Sequence, residues 1–284
     1  MTDTSPRFSH LAIIGVGLIG GSIAAAARQR GLVDRITGIG RTPTRLDKAI
    51  SAGLIDHGTT DISELTDVDL LIACTPVDRI AHDVLSAAGA ISNSAILTDA
   101  GSTKAGICDA LSSLDGCDGP TFVGSHPLAG SEKQGFEHAR ADLFVDRTCV
   151  VTPTPTSPAS VVGALGDFWQ SLGAEVIQMS PVDHDRALAR TSHLPHLVAA
   201  ALAGTLPEAD RPLAATGFRD TTRIAAGDPA LWVPILRHNA VALAEALAAF
   251  EMHLGEFRDS LAAADTAALQ KLLEEAKRTR DELG

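Results

Sequence analysis

Positive charge is in short supply in this chain of 284 residues: 23 lysines and arginines stand against 35 aspartates and glutamates, a net charge of −12. That balance argues against a nucleic-acid partner and against an anionic membrane surface. Anionic small molecules stay open, because one well-placed arginine outweighs a distant net charge. Cysteine is sparse and unpatterned. Cys74, Cys108, Cys117 and Cys149 form no CxxC motif and keep no metal-ligand spacing with histidine, so reduced, mostly buried thiols of a cytoplasmic protein are expected. No uncharged apolar run reaches the ~20 residues that span a bilayer. The opening MTDTSPRFSH has no basic region followed by an apolar one, so no secretory signal is expected. Internal repeats and low-complexity tracts are missing as well. What is left, 45% hydrophobic and 20% charged residues, describes a globular chain long enough for one large domain or two ordinary ones.

The first strong local pattern lies near the start. Leu11–Ile14 is a short apolar run, and Gly15-Val16-Gly17-Leu18-Ile19-Gly20 then opens an alanine-rich helix reaching about Arg30. This is a GxGxxG turn between a strand and a helix. The first glycine permits the turn, the second lets a pyrophosphate approach the backbone, and the third lets helix and strand pack closely. A glycine-rich turn that binds nothing is the plainer alternative, but the flanking strand and helix favour a dinucleotide. The second strand, 35–39, ends at Gly40-Arg41-Thr42, where an NAD site usually carries an acidic residue for the ribose. Arg41 and Thr42 instead suit a 2′-phosphate, so NADP is preferred and NAD remains possible. Arg45 can add to them, and a merely solvated Arg41 is the alternative. Asp69–Cys74 is a near-continuous apolar strand, as buried parallel strands are. Thr75 and Pro76 follow its carboxyl end, where open α/β sheets bind ligands, and join the cofactor-binding set.

Ala95–Thr98 reads as the next strand and leads to Asp99-Ala100-Gly101-Ser102-Thr103-Lys104. Here Ser102 or Thr103 can cap the following helix, and a chemical role for Ser102 stays open beside capping. Phe122 and Val123 end another buried strand and run into a loop, Gly124-Ser125-His126-Pro127, punctuated further by Gly130 and Gly135. His126 is thus offered at a strand mouth, with an ordinary pKa, ~6.5, that lets it take a proton near neutrality. Local hydrogen bonding is its plainer role. Strands at 148–152 and 175–179 and a helix over 159–172 complete this part.

From Ser180 the pattern turns helical, with Ser180-Pro181 as a helix start, Asp228-Pro229 as another, and Asp265 capping a last helix. That helix carries Lys271–Glu275 and Glu274–Arg278 at i,i+4 spacing. The chain therefore divides into a doubly wound α/β nucleotide-binding domain, residues 1–180, and a helical domain, residues 181–284. The surplus apolar face of the second, from Leu231 to Leu254, predicts a homodimer. Two of its stretches look chemical: Thr191-Ser192-His193-Leu194-Pro195-His196, a helix interrupted by proline, and Gly217–Ala225, a polar and basic cluster. Arg219 and Asp220 can pair there on the surface. No carboxylate or cysteine completes a ligand set with His126, His193 and His196, so no metal is expected.

In order and spacing, GVGLIGGS, TDAGSTK, GSHPLAGSEKQG, TSHLPH and GFRDTTRIA resemble the prephenate/arogenate dehydrogenase family of tyrosine biosynthesis. The likeness runs from Leu11 to the C-terminal helices, and its later motifs are more specific than the glycine fingerprint. It implies a Rossmann-like domain, an all-helical domain that dimerises, and oxidative decarboxylation of a cyclohexadienol, prephenate or arogenate, with reduction of NAD(P). By position it makes His126 the catalytic histidine, with Ser102 hydrogen-bonding that histidine and the substrate hydroxyl. Arg223 then holds a substrate carboxylate, His196 lies in the substrate pocket, and Ser131 and Glu132 stand at its mouth. A base near the hydroxyl lowers the barrier as a carbonyl develops, and loss of the ring carboxylate then restores aromaticity. Neither the ligand-sensing ACT domain nor the chorismate mutase segment of some members is expected. Two other readings stand beside this one. A two-domain hydroxyacid dehydrogenase would need a lysine base in the helical domain, and the stretch up to Ile235 has none. A cofactor-sensing protein without turnover would bind NADP and release no product.

Overall fold

Phe8–Ile14 forms β1, and its alternating side chains serve two layers: Leu11 and Ile13 join one apolar cluster, Ala12 and Ile14 the other. The same division recurs in β4 (Leu70–Ala73), where Leu70 and Ile72 face one way and Leu71 and Ala73 the other. Period-two order is therefore present inside runs that read as uniformly apolar, because both faces of the sheet are covered. In this computed structural model, which describes residues 8–91, 94–115, 119–130, 133 and 135–284, the intervening elements are α1 (Leu18–Gln29), β2 (Val33–Ile39), α2 (Pro43–Ser51) and β3 (His57–Thr59). After β4 come α3 (Val77–Ala88), β5 (Ile96–Asp99), α4 (Ala105–Ala110) and β6 (Thr121–Phe122). The six strands pair in parallel in the order β3-β2-β1-β4-β5-β6, the doubly wound Rossmann arrangement. The sequence reading has no β3, since three residues carry no readable periodicity.

A second, smaller sheet carries the chemistry. One residue after β6 the chain enters β7 (Gly124–Pro127), which pairs antiparallel with β8 (Thr148–Thr152), and β8 pairs in parallel with β9 (Glu175–Gln178) after α5 (Ala159–Ser171). The segment around His126 is thus a strand and not the loop its Gly and Pro suggest. Opposite it lies the apolar Thr148–Thr152 run, with His126 in register with Val150. A Cβ on Gly124 would stand 2.5 Å from Thr152 Oγ1, so only glycine allows this pairing.

After Ser180 every element is helical: α6 (Pro181–Leu188), α7 (Leu194–Gly204), α8 (Thr216–Thr222), α9 (Pro229–His238), α10 (Ala240–Ala262) and α11 (Thr266–Asp281). Ser180, Asp228 and Asp265 each accept a backbone N–H at their helix starts, as read from sequence. Two surface pairings differ from that reading. Arg219 Nε donates to the Ala214 carbonyl, and Glu274 accepts from Gln270 Nε2, whereas Lys271 does reach Glu275 at 3.9 Å. No single helix among the described residues is long and apolar enough to cross a membrane. Cys74, Cys108 and Cys149 are free thiols, and burial pushes Cys108 up to about 11. Cys117 lies outside the described residues.

Candidate active site

Ile14 is in register with both Ile39 and Ala73, so the loop after β1 emerges where the strand order reverses. Gly15 has φ +94°, a region other residues rarely enter, and a Cβ there would lie 2.9 Å from the Cys74 carbonyl oxygen. A Cβ on Gly20 would collide with the Gly15 carbonyl and stand 2.9 Å from Ile13. Around Gly17, by contrast, nothing lies within 4 Å of a Cβ position, and α1 begins without a side-chain cap. Uncapped first amides beside open space at Gly17 fit a pyrophosphate. Leu18 and Ile19, half-buried, form the first turn. At the end of β2, Arg41 and Thr42 are exposed and no carboxylate occurs from Gly40 to Leu46. Thr75 donates to Asp83 Oδ2 at 2.7 Å, and Pro76 is exposed at the start of α3.

On the same sheet edge, the Ala100 amide bonds the Ala73 carbonyl, and Asp99 begins a buried polar network. Asp99 pairs with Lys104, both wholly buried, and Lys104 Nζ also donates to the Ser125 carbonyl at 3.0 Å. Ser125 Oγ donates to the Asp99 carbonyl at 2.6 Å and accepts from Trp169 Nε1 at 3.1 Å. A satisfied network of this kind is rigid, and it fixes β7. His126, 9% exposed, places Nδ1 2.9 Å from His184 Nε2, while His184 Nδ1 lies 2.8 Å from Asp185 Oδ1. Asp185 also accepts the Lys104 and Ala105 amides at 2.7 and 2.9 Å. The start of α4 is therefore capped by a side chain from α6, and neither Ser102 nor Thr103 does so.

The helical half supplies the rest. Pro195 cannot donate a backbone hydrogen bond and its ring crowds the preceding turn. Residues Ala189–His193 accordingly widen into a π-turn, with the Leu194 amide reaching back to the Ala189 carbonyl. His193 and His196 project from this junction, both buried. His196 stacks on Trp232 with ring centres 3.5 Å apart and planes 9° from parallel. Gly227 makes room, since a Cβ there would stand 2.5 Å from Trp232 Nε1 and 2.9 Å from His196 Cε1. Asn239, at the 91° bend between α9 and α10, donates from Nδ2 to the Asp185 carbonyl (2.7 Å) and to His193 Nδ1 (3.0 Å). Because Nδ1 accepts, the hydrogen of neutral His193 sits on Nε2. That atom, His196 Nδ1 and Thr103 Oγ1 are buried with no hydrogen-bond partner among the described residues. Each orphan costs about 1–3 kcal/mol, and a polar ligand would relieve it.

Electrostatically the pocket is built for uncharged histidines. Burial, then the charges of His184, Lys104 and His193, hold His126 well below its ordinary value. Burial lowers His184 against the pull of Asp185, lowers His193 to about 4, and lowers His196. Among the described residues no group of three His, Cys, Asp or Glu is arranged to hold a metal ion.

The structure gathers His126 and His196 into one cluster through His193 and Trp232. Ser102 is half-buried after β5 with no side-chain hydrogen bond among the described residues, and His126 meets His184 in place of the serine. Arg223 is exposed, without an ion-pair partner among the described residues, on the short turn Arg223–Ala226 that packs against α7. Ser131 and Glu132 lie outside the described residues. Sequence reasoning missed His184, Asp185, Asn239 and Trp232 as site residues. His184-Asp185, a histidine beside a carboxylate in the first turns after Ser180, was the available signal.

A glycine-rich crevice at a strand-order reversal, sharing its sheet edge with a pocket of neutral histidines, defines a dinucleotide-linked dehydrogenase with a helical second half. Comparisons narrow the class. The family model described as prephenate dehydrogenase, nucleotide-binding domain, matches residues 23–178, and that described as prephenate dehydrogenase, dimerization domain, matches 180–275. Cyclohexadienyl dehydrogenase of Zymomonas mobilis is 34% identical over 281 residues, covering 96% of this chain and 95% of that one. The structure of A. aeolicus prephenate dehydrogenase with hydroxyphenyl propionate and NAD+ is 32% identical, with a TM-score of 0.91 over 97% of this chain and 98% of that chain. Synechocystis arogenate dehydrogenase, 31% identical, gives a TM-score of 0.85 over 97% of this chain and 100% of that one. The chain belongs to the prephenate dehydrogenase family.

Proposed function

We propose that this chain oxidatively decarboxylates prephenate or arogenate to the corresponding 4-hydroxyphenyl product, as a homodimer, with NADP preferred over NAD. The observation that carries the reading is His126: buried, neutral, engaged at Nδ1, and without a partner at Nε2 among the described residues. A neutral imidazole there accepts the proton leaving the substrate hydroxyl as the ring carbonyl forms. When bound, the nicotinamide supplies the two-electron hydride acceptor. Gly15, Gly17, Leu18, Ile19 and Gly20 hold the pyrophosphate, Arg41 and Thr42 the 2′-phosphate, and Thr75 and Pro76 border the crevice. Ser102 hydrogen-bonds the reacting hydroxyl. Arg223 binds a carboxylate, while His196, Ser131 and Glu132 line the pocket. His193 Nε2 and Thr103 Oγ1, both orphaned, meet polar atoms of the substrate. Exposed apolar side chains on α10 and α11, among them Val241, Met252 and Leu273, support a second copy as partner.

The test is steady-state turnover on prephenate and on arogenate, each with NAD and with NADP. Absence of product in all combinations would sink the assignment, and the ratio of the two substrates decides between a pyruvyl and an alanyl side chain. Arg223→Ala should raise KM for the anionic substrate roughly tenfold to a hundredfold, the loss of one charge-assisted contact. An unchanged KM would place the carboxylate elsewhere.

A further inference from the structure

Two buried groups on α6 take no part in the chemistry just described. His184 is wholly buried and Asp185 nearly so, yet both come from the helical half and reach under β7 of the sheet half. We propose that His184 and Asp185 form a positioning dyad that locks His126 as its Nδ1–H tautomer, leaving the lone pair of Nε2 free to take the substrate proton. The inference rests on the reading of His126 as the base.

Hydrogen-bond directions along the row decide the tautomer. The Asp185 carboxylate accepts the Lys104 and Ala105 amides and lies 2.8 Å from His184 Nδ1. An ionised carboxylate only accepts, so His184 Nδ1 carries a hydrogen. Neutral His184 then has a bare Nε2, and that atom faces His126 Nδ1 at 2.9 Å. Two bare nitrogens at that distance would repel, so His126 Nδ1 donates and its Nε2 is left without hydrogen. Were His184 doubly protonated, the direction would reverse and His126 would hold its hydrogen on Nε2, useless as a base. Burial and the nearby Lys104 oppose that state, while Asp185 favours it.

When His126 takes a proton on Nε2, its Nδ1–H bond to His184 becomes charge-assisted and strengthens. Asp185 stabilises the new charge from the far end of the row without itself taking a proton, as an orienting carboxylate does in other histidine-based sites. Among the described residues, the charged and titratable groups around His126 are His184 on α6, His193 on the π-turn, Lys104 before α4 and the buried Cys149 thiol on β8, with Asp185 and Asp99 acting on His184 behind it. Among the described residues only His184 bonds the imidazole ring of His126, and Asp185 in turn bonds His184. Because Asp185 also caps α4, its replacement would disturb folding, and His184 is the residue to change.

The experiment uses the full chain labelled with 15N-histidine, the His126 signals being identified by their loss in His126→Asn. Nitrogen shifts near pH 7.5 should show Nδ1 protonated and Nε2 bare. His184→Gln keeps an acceptor for Nδ1–H through its amide oxygen, and His184→Leu keeps none. Leu should lose kcat by roughly 10² and Gln by about tenfold or less, the scale on which partners of a functional histidine act. KM for substrate and cofactor should stay close to that of the parent. In His184→Leu the His126 shifts should move toward Nε2–H. A wild-type His126 with hydrogen on Nε2 overturns the proposal, as does an equal loss in both variants with the tautomer unchanged. The shifts are read without turnover, so they stand or fall separately from the base assignment, which the turnover of His126→Asn decides.

Discussion

The two halves of the chain differ in how completely each closes its own core. Before Ser180, the strands and their covering helices bury side chains as large as Trp169, Phe168, Phe144 and Leu11. After it, the buried apolar set is short, Leu188, Ala189, Ala199, Ile235, Leu243 and Ala246, while Val241, Met252, Leu261 and Leu273 are more than half exposed. At about 1.5–3 kcal/mol per large apolar side chain fully buried, the sheet half is stabilised from within. The helical half draws on its neighbours: the sheet half through His184, Asp185 and Ile235, and on our reading a second copy. The difference teaches that nucleotide binding belongs to one half, whereas on our reading the reaction takes place where the halves meet.

The sharpest test of that division separates binding from chemistry. His126→Asn should lower kcat by about 10²–10⁴, the range for a lost general base, with dinucleotide affinity, read by fluorescence titration, unchanged. Parallel loss of both would join what the comparison holds apart. Next is the exposed helical face. Val241 and Met252 are eleven residues apart on α10, close to three full turns, and so share one side. Replacing both by Glu should weaken dimerisation by on the order of 10² or more, since truncating central apolar anchors typically costs ~2 kcal/mol or above. Sedimentation would show a monomer, and an unaltered dimer would place the interface elsewhere.

Arg41→Ala addresses the sheet half alone. It should erase an NADP advantage of roughly tenfold to a hundredfold in kcat/KM, one charge-assisted contact, and leave NAD turnover nearly as it was. Equal efficiency of the parent with both cofactors would reverse the preference. The smallest effect lies at the junction. His126, His184, His193 and His196 all have folded-state values below their ordinary one. Above ~6.5 both folded and unfolded forms are neutral and stability is complete. As pH falls, the unfolded chain binds protons that the folded chain resists, so stability declines from ~6.5 downward, to about 4 in the case of His193. Each such histidine contributes at most about 1.4 kcal/mol per pH unit. Urea midpoints at pH 7.5 and 5.5 should differ accordingly, and His193→Asn should reduce the slope.

Contiguous features were legible in the sequence. Leu11–Ile14 followed by Gly15-Val16-Gly17-Leu18-Ile19-Gly20 announces a strand, turn and helix because each glycine answers a local demand. Ser180, Asp228 and Asp265 mark helix starts because a cap acts on amides two or three residues away. The strand character of Gly124–Pro127 was hidden, since its partner Thr148–Thr152 lies more than twenty residues on and Gly and Pro argue locally for a turn. The cap of α4 was hidden for the same reason: Ser102 and Thr103 have the right chemistry in the right place, yet Asp185 arrives from about eighty residues away and takes the amides.

By itself, then, the sequence determined what depends on neighbours along the chain: the glycine crevice, the alternation of strands and helices, the change of character at Ser180, and the family motifs around His126 and His196. Only the tertiary structure decided which nitrogen of His126 is engaged, which way Asn239 donates, and which buried atoms are left without partners. Those outcomes turn on separations of about three ångströms between residues far apart in sequence, where a hydrogen bond either has an acceptor or does not.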